Sequence, residues 1–298
     1  MHRAVLVALA ATLLAAAQAR APADISALTR PPAPAEGVAY SAALEGRKAA
    51  TLRAVEALSG GAALERALAS GDSGWLLTPR YTALVRFGLW DELIALGPPA
   101  DSRAPGLTAG YLYGRGVALA ARGRLDEARA TLAELEHLGA SVAPDARAGA
   151  NRLADLVQVA VPIVAARIAA SEYAATDAVT ALERAVEAQD RLAAAQPSDW
   201  FFPVRDLLGA QLLIAGHPVE AERVYREDLR RNPGNGWALR GLVAALRAEG
   251  RERAAAASAR ELALAWKNAD VRLSASAFWF AGPDHTRCEC ERAPSGDR

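Results

Sequence analysis

The sequence predicts an all-α fold built from stacked pairs of antiparallel helices. Alanine is the commonest residue and aromatic residues make up only 6% of the chain, a composition that favours closely packed helices over sheets. Small residues and turn residues recur at a spacing of roughly 34 residues, which is typical of a helix-turn-helix repeat. No segment alternates polar and apolar residues as a half-buried strand does. With 298 residues, 52% of them hydrophobic, the chain can bury a large core.

The charge balance argues against some classes of partner. Lys plus Arg and Asp plus Glu both number 34, so the formal net charge is zero. A balanced chain gives no electrostatic reason to expect nucleic acid or an anionic membrane surface as a partner. We therefore predict no nucleic-acid partner.

Residues 1–21 are typical of a cleavable signal peptide. Arg3 supplies a positive start, residues 4–17 form an apolar run without charge, and Ala-Gln-Ala at residues 17–19 is a small-x-small cleavage site. The run is too short to span a bilayer, and no other uncharged run approaches that length, so no membrane span is predicted. We expect a periplasmic or secreted protein. The alternative is an alanine-rich first helix of a cytosolic protein.

The first elements after this signal are a linker and two short helices. Residues 22–37 contain four prolines among small residues, which is typical of a flexible or extended linker. The helical repeat domain is expected to occupy residues 38–280. Apolar spacing predicts one helix over residues 41–59 and a second over residues 62–70.

Three helix pairs are predicted in the middle of the chain. Residues 75–96 and 108–139 each contain two helical patterns separated by a glycine. A long helix is expected over residues 145–170, within a third pair that covers residues 153–192. Pro162 lies inside that pattern and is expected to kink or divide the helix.

Two further pairs carry the clearest repeat pattern, at residues 202–235 and 236–269. Small residues in these pairs let two helices touch, Tyr225 is expected to fill the gap between them, and a proline stops the second helix. Residues 271–280 are expected to cap the array. Residues 281–298 are polar and charged, and are predicted to be a disordered tail. In total we predict five helix pairs.

The pair at residues 202–235 has glycine at 209 and 216, leucine at 212, alanine at 221, tyrosine at 225 and proline at 233. With these residues it resembles the tetratricopeptide repeat signature. Residues 218–233, with the sequence PVEAERVYREDLRRNP, are similar to the C-terminal half of a bacterial group of tetratricopeptide-repeat proteins of undefined function. The resemblance covers most of residues 43–278 and implies a right-handed superhelical array, an α-solenoid that binds proteins rather than a catalyst. The positions that carry it are Gly209, Leu212, Gly216, Ala221, Tyr225 and Pro233.

The resemblance also implies a concave groove lined by the first helix of each pair. Trp237 is expected to anchor an apolar group there, because Trp and Arg most often dominate binding energy. Arg240 and Arg247 are expected to bind a carboxylate, such as a peptide C-terminus or an acidic side chain. The alternative is that both arginines pair with neighbouring acids and that Trp237 belongs to the core. The predicted groove residues are Tyr113, Val117, Asp206, Leu213, Ile214, Trp237, Arg240 and Arg247.

The tetrapeptide Gly-Asp-Ser-Gly at residues 71–74 matches the nucleophile motif of trypsin-like proteases. That chemistry needs a histidine base and a buried acid in a β-barrel, and the four histidines of this chain form no such set. Between two helices, the same residues are ordinary turn formers. We predict no catalytic residue and no enzyme activity.

His285, Cys288 and Cys290 form the one metal-like cluster of the sequence. A fourth ligand and a scaffold are missing, so no metal and no cofactor are predicted. In an oxidising compartment, Cys288 and Cys290 are expected to form a disulfide, within the tail or between chains.

The sequence therefore predicts an exported scaffold that binds a protein or peptide segment in its groove. One alternative is a structural subunit that self-associates through exposed apolar faces. Another is a hydrolytic enzyme with an unrecognised carboxylate site, which predicts a deep cleft with clustered acids and perturbed pKa values.

Overall fold

The computed structural model describes residues 35–59, 61–195 and 197–278, with side chains from residue 37 onward. The predicted signal peptide, most of the predicted linker and the predicted tail lie outside these residues. The same holds for His285, Cys288 and Cys290, so the predicted disulfide also lies outside the described part.

The described residues confirm the all-α prediction. They form thirteen α-helices, a single turn of 3-10 helix at Trp75–Leu77 and one two-stranded hairpin. The helices in chain order are α1 (Ala35–Leu44), α2 (Lys48–Leu58), α3 (Gly61–Ala69), α4 (Pro79–Arg86), α5 (Trp90–Ala95), α6 (Pro105–Ala121), α7 (Leu125–Ser141), α8 (Leu153–Ser171), α9 (Ala175–Asp190), α10 (Arg205–Ile214), α11 (Pro218–Arg231), α12 (Gly236–Ala248) and α13 (Glu252–Ala265).

Twelve of these helices form six pairs, each joined by a turn of three residues. Such short turns make the two helices of a pair antiparallel neighbours. The middle residue of every turn has a positive φ, a conformation that glycine adopts without steric cost. These residues are Gly46 (φ 68°), Gly88 (φ 66°), Gly123 (φ 73°), Tyr173 (φ 60°), Gly216 (φ 81°) and Gly250 (φ 72°).

One of the six pairs was not predicted. The single helix expected over residues 41–59 is wrong, because the chain turns at Gly46 and forms α1 and α2 instead. The indole of Trp266 packs on this glycine so closely that an added Cβ would lie 2.3 Å from the ring. The apolar spacing of residues 41–59 runs through the turn, so a tertiary contact decides where the helix breaks.

The predicted start of the long helix at residue 145 is also wrong. Arg147–Ala148 and Asn151–Arg152 pair as an antiparallel hairpin, β1 and β2, and α8 begins only at Leu153. Distant carboxylates hold the hairpin: Asp72 accepts from Gly149 N–H at 2.8 Å, and Asp199 accepts from Ala150 N–H at 2.8 Å. Pro162 does not divide the helix, since α8 continues to Ser171.

Helix α8 lies at the centre of the packing and contacts α6, α7 and α9. In length and composition it is the one helix of the described residues that could cross a membrane. However, 56% of its most apolar stretch is buried among the neighbouring helices. Such burial is typical of the core helix of a helical domain.

The predicted role of Tyr225 is confirmed. Its ring is fully buried between Gly209 of α10 and Gly241 of α12. A Cβ added at Gly209 would lie 2.3 Å from the ring, and one added at Gly241 would lie 2.1 Å from it. The tyrosine of α11 therefore fixes the spacing between two successive helix pairs.

The first and last helix pairs of the described chain are in contact. The indole N–H of Trp237 donates to the backbone oxygen of Ala43 at 2.8 Å. The hydroxyl of Tyr40 donates to the Asn232 side chain at 3.2 Å, and the Asp270 carboxylate accepts from Ala49 N–H at 2.9 Å. These contacts join residues about 200 positions apart in sequence. An open array of helix pairs does not predict them, because each pair of such an array touches only its neighbours.

Candidate functional site

Helices α10 and α12 carry six of the eight predicted groove residues, and the structure divides all eight into two groups. Four are completely buried, at 0% exposure: Tyr113, Val117, Asp206 and Trp237. The other four lie toward the surface, with Leu213 and Arg240 half-buried and Ile214 and Arg247 exposed. A ligand at the surface can reach only this second group.

Trp237 is a core residue, as the alternative interpretation of the sequence holds. Its ring lies edge-on to Trp266 and Phe278, at centroid distances of 5.6 Å and 5.7 Å, and next to Phe87 at 5.9 Å. The guanidinium of Arg86 lies 4.0 Å from the centre of the indole. Every side of the indole is therefore covered by other parts of the same chain.

Tyr113 is equally enclosed. Its ring meets that of Trp200 edge-to-face at 5.2 Å, and Trp200 stacks on Trp75 at 6.0 Å. Burial raises the pKa of the Tyr113 phenol far above its ordinary value. These aromatic residues join the loop before α10 to α6 and to the segment before α4, so they stabilise the packing between helix pairs.

Asp206 belongs to a buried polar cluster that the sequence did not reveal. Its carboxylate forms an ion pair with Arg86 at 2.8 Å. The side-chain amide of Asn235 donates to both Asp206 oxygens, at 3.1 and 3.2 Å, and to Asp228 at 2.7 Å. Asn232 donates to the other oxygen of Asp228 at 2.9 Å. One amide thus bridges two carboxylates that share a single cation.

The surroundings of this cluster raise the pKa of both carboxyl groups. Burial raises the pKa of Asp206, and the charge of Arg86 and the hydrogen bond from Asn235 partly offset the rise. Burial and then the negative charge of Asp206 raise the pKa of Asp228 to about 7. Two acids with raised pKa values are what the hydrolase alternative requires.

This carboxylate pair has no room for a substrate. Asp206 is 0% and Asp228 is 1% exposed. The void beside Arg86, between Phe202 and Phe278, measures about 10 Å³. That volume is at the lower limit for a single water molecule. The cluster therefore acts as an internal brace between α4, α10, α11 and α12.

Residues 271–278 cover the side of α10 and α12 that carries Asp206, Trp237 and Arg240, which we call the inner face. We call residues 271–278 the strap. Arg240 Nη2 donates to the backbone oxygen of Ser274 at 3.1 Å, and the Ser276 hydroxyl donates to the backbone oxygen of Asp206 at 2.9 Å. Ser276 is 1% exposed and Ala277 is 8% exposed. The strap thus lies across positions that the sequence assigns to a ligand groove.

Beyond the strap, the ends of α10 and α12 present an open surface with two arginines. Arg240 and Arg247 are seven residues apart on α12, so they share one face of the helix. Burial and then the positive charge of Arg247 lower the pKa of Arg240. Within residues 35–278, no carboxylate forms an ion pair with either arginine. Ile214 is 54% exposed at the end of α10.

The protease-like tetrapeptide is a turn, as predicted. One Asp72 oxygen accepts from Gly74 N–H at 2.8 Å, and Gly74 has a φ of 86°. Ser73 N–H donates to the backbone oxygen of Arg147 at 2.8 Å. The two histidines of the described residues, His137 and His217, are exposed and do not hydrogen-bond to Ser73. The motif therefore docks the hairpin.

A separate groove of about 590 Å³ runs between α7, α8 and α9. Its lining includes the apolar side chains of Val157, Val161 and Pro162 and the charged side chains of Arg184 and Glu187. None of the eight predicted groove residues lines it. It is an open, mainly apolar surface formed by the sides of three helices.

The residues that sequence reasoning missed are Arg86, Asp228, Asn235 and Ser276. One signal was present, because Arg86 interrupts an otherwise apolar run from Leu84 to Phe87. A charge inside an apolar stripe indicates a buried partner. Ser276 gave no such signal, since serine is ordinary in an irregular segment.

No group of three or more His, Cys, Asp or Glu side chains within residues 35–278 is arranged to hold a metal ion. The chain matches no family model, no curated protein and no solved structure in the comparisons made with known proteins.

Proposed function

We propose that this protein is an exported helical scaffold of the tetratricopeptide-repeat type that binds a protein or peptide segment on the inner face of α10 and α12. The regular three-residue turns and the contact of Tyr225 with two glycines support this architecture. In such arrays, the first helices of successive pairs form the ligand surface. The proposal includes no catalytic step, since the buried acids have no adjoining cavity for a substrate.

The observation that carries the proposal is the pair Arg240 and Arg247. Some exposed arginines of the C-terminal helix pairs, such as Arg226 and Arg251, lie within 2.7 Å of a carboxylate, whereas others, such as Arg223 and Arg253, form no ion pair with a described residue. Arg240 and Arg247 share a helix face and form no ion pair with a described carboxylate, and the positive charge of Arg247 adds to burial in lowering the pKa of Arg240 through like-charge repulsion. A carboxylate from a ligand would relieve that repulsion, and Leu213 and Ile214 would contact an adjoining apolar side chain.

The test compares peptides that differ only at the C-terminus. A pool of synthetic peptides with free carboxylates and the same pool with C-terminal amides are passed over immobilised full-length protein. We expect the free-acid pool to bind more, and Arg247→Ala to reduce its binding by roughly tenfold, which corresponds to about 1.4 kcal/mol. Arg223→Ala is the matched control, because Arg223 is an exposed arginine of α11 without an ion pair. The proposal would be contradicted if the free-acid and amidated pools bound equally, and if Arg247→Ala bound the free-acid pool as well as Arg223→Ala does.

Export is the second part of the proposal and rests on the signal-like residues 1–21. N-terminal sequencing of the mature chain, purified from a periplasmic fraction or from the medium, tests it. Cleavage after residue 19 or 21 is expected. An intact N-terminus on cytoplasmic protein is the contrary outcome.

A further inference from the structure

We infer that the strap is a displaceable occupant of the inner face, and that peptides bound there share its chemistry. That chemistry is a short run of small residues with a hydroxyl, followed by an aromatic side chain. The inference rests on the proposed function and specifies its ligand class and its regulation.

The strap binds the inner face as a docked peptide does, mainly through its side chains. The Tyr225 hydroxyl donates to Ser276 Oγ at 2.6 Å, and Ser276 in turn donates to the Asp206 backbone oxygen. Phe278 packs edge-to-face on Trp237 at 5.7 Å. Phe278 also fills the space over Gly88, where an added Cβ would lie 3.0 Å from it.

The backbone of the strap is weakly held. None of the N–H groups from Val271 to Phe278 donates a hydrogen bond to another described residue. Its carbonyl groups accept two side-chain hydrogen bonds, one from Trp266 to Val271 and one from Arg240 to Ser274. A segment with so few backbone hydrogen bonds can open locally, at a free energy below that of global unfolding.

Displacement would remove the strap's part of the cover over two predicted groove positions, Asp206 and Trp237. Ser276 and Phe278 cover Asp206 and Trp237, and Ser274 takes up a donor of Arg240. The strap thus adds to the burial of Asp206 and Trp237, which Arg86 and Ala43 also cover.

The same contacts define the competing ligand. The hydroxyl at Ser276 fits a site that offers the Asp206 carbonyl as acceptor and the Tyr225 hydroxyl as donor. Ala275 and Ala277 on either side leave the backbone free to approach the helices closely. The aromatic ring fits between Trp237 and the turn at Gly88. A peptide of the pattern Ser-Ala-Ser-Ala-Phe satisfies each of these features.

The experiment uses the full-length chain and a labelled synthetic peptide of residues 271–278 (VRLSASAF), with fluorescence anisotropy as the readout. The Phe278→Ala variant loses the main apolar contact of its own strap, so a larger fraction of molecules has an open face. We expect this variant to bind the peptide roughly tenfold or more tightly than the wild type does. Leu264→Ala is the matched control, because Leu264 is 73% exposed on α13. A control peptide with alanine in place of its phenylalanine should bind neither protein.

Thiol labelling provides a second measurement that does not depend on the fold of the Phe278 variant. In a background with Cys288→Ser and Cys290→Ser, Ser276→Cys in the strap is compared with Ser258→Cys in α13. Both serines are buried, at 1% and 7% exposure. If the strap opens locally, Ser276→Cys should react roughly 100-fold faster than Ser258→Cys under native conditions.

Equal labelling rates, or a folded Phe278→Ala variant that binds the peptide no better than wild type, would overturn the inference. Neither result would affect the carboxylate test of the proposed function, since Arg247 lies outside the strap contacts. If Arg247→Ala binds free-acid peptides as well as the wild type does, while the strap experiments give the expected results, the strap site stands and the carboxylate site is contradicted.

Discussion

The guanidinium of Arg86 forms an ion pair with the carboxylate of Asp206 at 2.8 Å, and the two side chains are only 2% and 0% exposed. Above the pair, the Arg86 guanidinium lies over Trp237 at 4.0 Å and near Phe202 at 5.2 Å. None of the three Arg86 side-chain nitrogens has an acceptor in hydrogen-bond geometry among the described residues, so the aromatic faces add to the ion pair as electrostatic partners. This contact connects α4 to α10 and α12.

Removing one member of this ion pair should be strongly destabilising. Arg86→Met keeps much of the side-chain volume but leaves Asp206 buried with less compensation, and we expect a loss of about 3–5 kcal/mol in the free energy of unfolding. Urea denaturation of Arg86→Met, Asp206→Asn and the double variant measures the coupling. The double variant should lose clearly less than the sum of the two single losses. Additive losses would contradict the predicted coupling.

The stability of the protein should fall as the pH rises from 5 to 8. Burial and the charge of Asp206 raise the folded pKa of Asp228 from the ordinary 3.8 to about 7. The folded state therefore holds a proton on Asp228 more tightly than the unfolded chain does. This contribution to stability is fully present below the ordinary pKa and is lost as the pH rises through about 7.

Thermal melts at pH 5 and pH 8 test this dependence. Asp228→Asn keeps the shape and cannot ionise, so its melting temperature should change less between the two pH values than that of the wild type. Asp177→Asn, at an exposed acid of α9, is the control and should keep the wild-type dependence. Tyr40 does not contribute to the change between pH 5 and pH 8, because burial, the largest cause, raises its pKa to about 12. An unchanged pH profile in Asp228→Asn would remove Asp228 as the cause.

Glycine at position 209 should be required for stability. An added Cβ would lie 2.3 Å from the Tyr225 ring, which is itself fixed by Gly241 on its other side. We expect Gly209→Ala to cost about 1–3 kcal/mol through overpacking, as measured by chemical denaturation. Gly61→Ala is the matched control, because no atom lies within 4 Å of its added Cβ. In the first turn of α3 it should be neutral or slightly stabilising.

The turn between α8 and α9 should tolerate glycine better than its native tyrosine. Tyr173 has a φ of 60° and is 95% exposed, so it bears backbone strain without packing contacts in return. Tyr173→Gly is expected to stabilise by up to about 1 kcal/mol. The reciprocal change Gly123→Ala, at a φ of 73° with open space around its Cβ, should destabilise by a similar amount. Changes of the same sign would contradict this explanation.

The N-terminus of α2 should depend on a residue far away in sequence. Its N-cap residue, Arg47, makes no side-chain cap, and the Asp270 carboxylate accepts from Lys48 N–H and Ala49 N–H instead. Asp270→Ala should cost about 0.5–2 kcal/mol in the free energy of unfolding. Glu183→Ala, at an exposed acid of α9, should change stability by less than about 0.5 kcal/mol.

The helix pairs could be predicted from sequence wherever the pattern is local. The contact of Tyr225 with its glycines follows from small residues at a fixed spacing, and the turns at Gly123, Gly216 and Gly250 follow from glycine at a helix end. The turn at Tyr173 could not be found in this way, because no glycine is present.

The burial of Asp206 and Trp237 could not be predicted from the local repeat pattern, because it depends on contacts between distant parts of the chain. Repeat spacing placed Asp206 and Trp237 on the first helices of their pairs, but it carries no information about segments that return from far along the chain. Arg86, Ala43 and Phe278 cover these residues through contacts that span 41 to 194 positions. Only the exposed group, with Arg240 and Arg247, kept the accessibility that the pattern suggests.

The contact of Asp270 with α2 has a consequence for how such a chain can change in length. An open array can gain or lose a helix pair, because duplication at any point adds one more interface of the same kind. Here the last segment must reach the first pair, so an inserted pair would carry Asp270 and Trp266 away from Lys48 and Gly46. Variation is therefore expected in turns, in the hairpin and in side chains, with the six helix pairs between Ala35 and Ala265 kept in number.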